Sequence, residues 1–347
     1  MTTPLSETAA EELVESPAAA SSLQVDELRG DTAIVDAARV VLHSRLRSVI
    51  KRLKRVGAEA ETESKAVHQL RVATRRAEAA FIVFREAIDR TRFEKMRRSL
   101  RRIRRAAGEA RRCDVNAERF ALQLEAADAE HRDVLQYLLA HTLARRAQAQ
   151  QELNEAANRY GGKRFARQCD KAVASLHAPK RIATLTDAAR ETLPRLFARV
   201  ARLSAGELDS IQKIHKLRRR GKRFRYALEV FSPCVERTAI ESMNAIMESM
   251  QEKLGAINDC YDVIVDLRAH IKLLRDEAKA GDEAAGALHE DILELKRLLK
   301  AQRVQQTEQL KQWLAECGPA EVERFLTHAL GEKALITPDA HDPERVR

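Results

Sequence analysis

Two short stretches of this chain combine one histidine with arginine and lysine at helical spacing. Residues 67–84 read VHQLRVATRRAEAAFIVF, and residues 214–231 read IHKLRRRGKRFRYALEVF. His68, Arg71 and Arg75 fall at i, i+3 and i+7, so a helix carries them on one face, with Arg76 beside them. His215, Arg218, Arg219, Lys222 and Arg223 repeat that face at a constant offset of 147 residues. These groups are fixed positive charges and hydrogen-bond donors. Stacked like charges repel by a few tenths of a kcal/mol per pair. Folding alone does not explain them, and the chemistry they suit is capture of a multivalent anion.

A third basic stretch, residues 90–112, holds eleven Arg or Lys, and no acid lies between Lys95 and Ala107. A solvated helix face normally interleaves acids at i+4. Lys95, Arg98, Arg102 and Arg105 form an i, i+3, i+7, i+10 stripe and are expected to contact phosphate. Arg97 and Arg101 are expected to meet solvent or acids. His68 and His215 are read as phosphate-facing donors whose charged form an adjacent anion would favour.

Other chemistries find little support. No two of the ten histidines stand at i, i+3 or i+4, so no single helix offers a zinc pair, and no metal is expected. No Walker pattern, GxGxxG or HExxH occurs, and Gly161-Gly162-Lys163-Arg164 lacks the first Gly and the Ser/Thr of a phosphate loop. Asp114, Asp259 and Asp262 are expected to pair with arginines that orient helices. No catalytic residue and no cofactor is assigned, and the chain is read as a non-enzyme.

The elements that must carry these residues are helices. Apolar residues make up 44% of the 347 residues, aromatics only 4%, and Gly (12) and Pro (8) are scarce. The net charge is +10, with 45 arginines against 17 lysines. Arginine's planar fork suits phosphate, although a GC-rich genome gives the same bias. Residues 1–30 hold six acids against Arg29 and are read as a disordered acidic tail. Helical patterning begins at Asp31. One helix is expected over about 64–87 and another over about 92–107, with a bend or break at Gly108. A turn is expected at Tyr160–Gly162, a linker near His177–Pro179, breaks near Gly206, Pro233, Gly281 and Gly318, and an end near Leu330. No segment alternates like a strand. Five scattered cysteines read as reduced thiols of a cytoplasmic protein. No run of 18 apolar residues spans a membrane.

The 147-residue offset extends further. It aligns Gly108 with Gly255, Arg111 with Asn258, Arg112 with Asp259 and Cys113 with Cys260. The expected fold is all-α, two pseudo-symmetric helical bundles from an internal duplication, with basic faces converging on a central groove. Repeat one is placed at about 31–176, repeat two at about 180–330, and a C-terminal tail at 331–347. Nucleic acid is the rival partner, since the high pI and the basic stripes are its electrostatic footprint. Aromatics for base stacking are few, and Phe224 and Tyr226 are the best placed; Phe81, Phe84 and Phe231 fall at core positions.

Four segments in order, VHQLRVATRR, KMRRSLRRIRRAAGEARRCDV, IHKLRRRGKRFRY and KLGAINDCYDV, resemble the CHAD family, the conserved histidine α-helical domain. The similarity covers about residues 31–330. It implies a helical, pseudo-symmetric bundle whose basic groove or channel binds inorganic polyphosphate, at polyphosphate granules, in a standalone member without the triphosphate-tunnel domain that often accompanies it. One departure is Arg111-Arg112, where the family pattern ends in Arg-Asp; the pairing role then passes to Asp114 or is lost. The expected site comprises His68, Arg71, Arg75, Arg76, Lys95, Arg98, Arg102 and Arg105 on one side, and His215, Arg218, Arg219, Lys222 and Arg223 on the other. A nucleic-acid or general polyanion binder, or a scaffold that recruits a polyphosphate-metabolising enzyme, stands as the alternative.

Overall fold

The computed structural model describes residues 24–58, 64–127, 129–317 and 319–330. Ten α-helices carry them: α1 (Ile34–Ala58), α2 (Ser64–Val83), α3 (Arg90–Ala126), α4 (Ala129–Tyr160), α5 (Lys163–Ala174), α6 (Leu185–Ser204), α7 (Ile211–Phe231), α8 (Arg237–Lys279), α9 (Glu283–Cys317) and α10 (Pro319–Leu330). No strand occurs among the described residues; the one isolated bridge pairs Ala33 with Thr184.

The sequence offset reappears in the backbone. Helices α2 and α7 begin at residues 64 and 211, α3 and α8 at 90 and 237, and short 3-10 turns begin at 85 and 232, each pair 147 apart. Side chains start several of these helices. The Asp89 carboxylate accepts from the Arg92 amide (3.0 Å) to open α3, and Ser210 Oγ accepts from the Lys213 amide (3.4 Å) to open α7. Between α8 and α9, Gly281 takes φ +101°, the left-handed conformation that glycine adopts without a Cβ clash. The Asp282 amide then returns to the Glu277 carbonyl (3.3 Å), and the Asp282 side chain caps α9.

Burial does not divide by repeat. The larger core joins Leu42, Leu46 and Leu53 of α1, Phe81 of α2, Leu100 and Ile103 of α3, Phe197 of α6, and Phe224 and Phe231 of α7. A second core joins Phe120 of α3 and Leu138 of α4 to Val263 and Leu267 of α8 and Ile292 of α9. Each core takes residues from both sides of the linker, so neither half buries its own apolar surface alone.

Several boundaries differ from expectation. Helix α2 stops at Val83 and is followed by the separate turn Arg85–Ala87. Helix α3 does not break at Gly108 but runs to Ala126. A helical glycine costs about 1 kcal/mol against alanine, and the buried Ala107, Ala110 and Cys113 around it offset that cost. Residues 24–30, assigned from sequence to a disordered tail, are ordered. Leu28 is buried in the larger core, and the Gly30 carbonyl accepts from the Thr186 amide (2.9 Å). The rest of the acidic tail, the C-terminal tail 331–347 and the expected break at Gly318 lie outside the described residues. The breaks near Gly162, His177, Gly206, Pro233 and Gly281 fall where the sequence puts them, and Leu330 is the last described residue.

Candidate polyanion-binding site

Helices α2 and α7 pack against each other, so the two histidine-arginine faces meet. Arg71 of α2 lies within electrostatic reach of Arg75, of Arg104 and Arg111 on α3, and of Arg218 on α7. Lys222 of α7 lies within reach of Arg75, Arg218 and Arg71, and the nearby acid is Asp259 of α8. Arg75 reaches across to Tyr226 of α7, whose hydroxyl accepts its hydrogen bond. Five cations from three helices therefore share one half-buried space: Arg71, Arg75, Arg104, Arg218 and Lys222.

Backbone geometry makes room for them. A Cβ built on Gly108 would stand 3.3 Å from Arg71 Nη1, and one on Gly255 would stand 3.8 Å from Arg218 Nη2. Gly108 lets the Arg71 guanidinium lie close to α3, whereas at Gly255, 147 residues on, a Cβ would make only ordinary contact with Arg218. Arg71 Nη1 donates to the Arg104 carbonyl (3.2 Å), and Arg218 Nε is buried with no hydrogen-bond acceptor. A buried cation without a compensating acceptor is costly.

Protonation equilibria respond. Burial, followed by Arg75, Arg218 and Arg71, pushes Lys222 down to about 6, against weak opposition from Asp259. Burial and the surrounding arginines lower Arg71 to about 10. His68, at the exposed rim, is held below its ordinary value by partial burial and by Arg111, Arg75, Lys222 and Arg71. His215 is lowered by burial as well, but Asp262 opposes the shift. The two histidines therefore sit in different fields: cations dominate at His68, whereas His215, beside Tyr261 (ring centroids 5.9 Å apart), feels Asp262 as well as Arg218 and Arg219.

Several expected residues lie elsewhere. Arg76 is an ion-pair partner of Glu229 on α7 (2.7 Å), which also takes Arg45 of α1 (3.5 Å). Arg219 is exposed and Arg223 half-buried on α7. Lys95, Arg98, Arg102 and Arg105 are all exposed on α3. Arg98 and Arg105 point away from the buried Met96, Leu100, Ile103 and Ala107, and Arg102 projects from the flank opposite Arg104, since residues two apart on a helix diverge by about 200°. The groups α3 turns toward the cluster are Arg104 and Arg111. Sequence reasoning missed them because every flank of α3 is basic; their i+7 spacing around Gly108 is the signal that marks the flank facing α2.

Of the three acids expected to pair with arginines, Asp114 does so, with Arg146 of α4 (2.6 Å). This is the role left open by Arg111-Arg112. Asp259 accepts from Arg119 through its backbone carbonyl (3.4 Å). Asp262 is raised by burial, with Arg112 and His215 opposing. Glu78 of α2 neutralises the near flank of α3, contacting Arg97 (3.5 Å), Arg101 (3.3 Å) and Arg104. Burial alone would raise Glu78, but Arg104, Arg101 and Arg97 outweigh it and hold the carboxyl below its usual range. The offset maps Glu78 onto Arg225 and Arg101 onto Glu248, and Arg225 and Glu248 also pair (3.4 Å): the same bridge with its charges exchanged.

Phe224, a stacking candidate from sequence, is fully buried against Phe197 (ring centroids 5.3 Å apart), and Tyr226 holds Arg75. Phe81, Phe84 and Phe231 are core residues. Among the described residues no group of three His, Cys, Asp or Glu could hold a metal ion, and no helix is long and apolar enough to cross a membrane.

Solved structures share this fold. The crystal structure of the CHAD domain from the plant Ricinus communis aligns with TM-score 0.57 at 21% identity, over 90% of this chain and 97% of that one. The structure of PptA from Streptomyces chartreusis aligns with TM-score 0.50 at 23% identity, over 79% of this chain and all of the other. No curated protein sequence matches this chain. The family model for the CHAD domain matches residues 40–264, from α1 through the cationic cluster to the middle of α8, and the chain belongs to the CHAD domain family, which is linked to polyphosphate.

Proposed function

We propose that this protein binds inorganic polyphosphate, without catalysis, in a basic groove where its two duplicated halves meet. The carrying observation is the convergence of Arg71, Arg75, Arg218 and Lys222, crowded enough to bring Lys222 down to about 6. Such crowding costs folding energy, and an anion seated among these groups would offset that cost. Arg104 and Arg111 of α3 and His68 of α2 extend the site, and His215 marks its other end. A chain of phosphates engages these donors together, so affinity rises with chain length by effective concentration and falls with salt through counterion release. The buried Phe224 and the occupied Tyr226 leave neither of the sequence's stacking candidates for bases, which favours phosphate without bases over nucleic acid. Residence at cytoplasmic polyphosphate granules follows from this reading.

The test is binding of labelled long-chain polyphosphate at about 150 mM salt, with triphosphate, duplex DNA and RNA as competitors. Wild type is run beside a variant carrying Arg71→Ala, Arg75→Ala, Arg218→Ala and Lys222→Ala. Tight binding that nucleic acid does not displace and that the variant loses supports the proposal. Equal displacement by RNA, affinity independent of chain length, or normal binding by the variant rejects it.

A further inference from the structure

The outer face of α3 carries positive charge that neither the fold nor the cluster accounts for. Lys95, Arg98, Arg102 and Arg105 are exposed, and none forms an ion pair with a described carboxylate; Arg98 Nε reaches only the Glu94 backbone carbonyl (3.3 Å). On the near flank of the same helix, Arg97, Arg101 and Arg104 share Glu78. The compensation is therefore selective.

The duplication supplies an internal control. The offset maps Lys95, Arg98, Arg102 and Arg105 onto Ser242, Ala245, Ser249 and Glu252 of α8. No cation stands at any of the four. Helix α8 occupies the corresponding place, beginning at the corresponding residue and packing on α7 as α3 packs on α2. The helix needs no positive charge at these positions to fold or pack. In α3 the four cations repel one another at i+3 and i+4 spacing and still line one exposed face over about 15 Å at 1.5 Å per residue.

We propose that this outer stripe is a second polyphosphate-binding surface, separate from the cluster between α2 and α7, and that the two together let one protein bridge two phosphate chains. The proposal rests on the polyphosphate reading above. The stripe is convex, on a single helix, and without an aromatic side chain at its four positions. It therefore fits a flexible chain of phosphates, which can follow a helix face and needs only charge contacts. Bridging by a protein with two anion faces draws long chains together, while short chains, too small to link proteins, stay dispersed.

The experiment titrates labelled long-chain polyphosphate and triphosphate into three full-length proteins. They are wild type, the cluster variant named above, and an outer variant carrying Lys95→Ser, Arg98→Ala, Arg102→Ser and Arg105→Ala, which imports residues already tolerated in α8 or smaller. Light scattering reads bridging, fluorescence anisotropy reads binding, and circular dichroism on melting checks the fold. The expected result is scattering by wild type with long chains only. The outer variant should bind triphosphate within about threefold of wild type yet scatter no more than buffer. The cluster variant should bind long chains at least about tenfold more weakly, without scattering.

An outer variant that scatters like wild type overturns the inference. So does a cluster variant with no residual binding of long chains, which leaves the cluster as the single site and the proposed function intact. A cluster variant that binds like wild type, beside an outer variant that does not bind, sinks the proposed groove instead, and bridging with it. Residual binding by the cluster variant that RNA displaces at equal phosphate concentration assigns the stripe to nucleic acid and overturns the inference as well.

Discussion

Lys222 offers the sharpest test of the cationic cluster, with pH as the perturbation. In the unliganded protein burial and the charges of Arg75, Arg218 and Arg71 push it down to about 6, so above neutrality it is mostly uncharged. An ordinary lysine loses its proton near 10.4. Phosphate oxygens among Arg71, Arg75 and Arg218 would cancel those charges and move Lys222 back toward that range. Each binding event between about pH 7 and 9 then takes up close to one proton. Linkage converts one proton into a tenfold loss of affinity per pH unit, about a hundredfold over the window. The histidines also sit below their ordinary values in the unliganded protein; protons they take up beside phosphate appear equally in wild type and in Lys222→Met, so the difference between the two reports Lys222 alone. Stability carries the opposite sign. The unfolded chain holds the extra proton between about pH 6 and 10, so the unliganded protein becomes more stable as pH rises through that range. The assay is calorimetry with long-chain polyphosphate at constant ionic strength, in two buffers of different ionisation enthalpy. Proton uptake greater by close to one in wild type than in Lys222→Met is expected. A slope that survives unchanged in Lys222→Met would refute the assignment of the proton to this residue.

Three further outcomes are expected. Glu78→Gln leaves Arg97, Arg101 and Arg104 without their shared carboxylate; it should destabilise the fold by about 3 kcal/mol while tightening polyphosphate binding, read by thermal melting and anisotropy on the same sample. Gly221→Ala sets a Cβ 2.3 Å from Gln251 Nε2 and 2.7 Å from Met250 Cε, side-chain ends held inside the α7–α8 contact; about 1–3 kcal/mol should be lost to overpacking, measured by chemical denaturation. Gly108→Val brings bulk against Arg71, whose Nη1 lies 3.3 Å from the site of a Cβ; polyphosphate affinity should fall several-fold with a smaller change in stability, and Gly255→Val should act less, since Arg218 stands 3.8 Å away.

What was legible in the sequence is what local periodicity carries. The helical class, the break positions from Gly162 to Gly281 and the 147-residue repeat all depend on residues near one another or on direct comparison of two stretches. The histidine-arginine faces were legible for the same reason, because i, i+3 and i+7 share a helix face whatever the helix packs against. The acid pairing of Asp114 followed from simple charge logic. The failures share a cause as well. Gly108 reads as a breaker in isolation, yet it lies within a buried stripe that holds α3 together and gives Arg71 its room.

Which flank of α3 faces α2 is a tertiary decision. With arginines on both sides of its apolar stripe Met96, Leu100, Ile103 and Ala107, α3 shows no preferred flank in sequence, and Arg104 turns inward and Arg98 and Arg105 outward only once the partner helices are in place. Arg76 likewise reads as a member of the basic face until α7 brings Glu229 to 2.7 Å from it. Sequence by itself determined that this chain is helical, duplicated and armed with basic faces, since each of those properties is written within a few turns of helix or in two copies of one stretch. Tertiary structure alone decided which cations are neutralised by Glu78 and Glu229, which crowd together around Lys222, and which remain on the outside. Charge compensation acts through space between helices, and the distances that control it are set by packing.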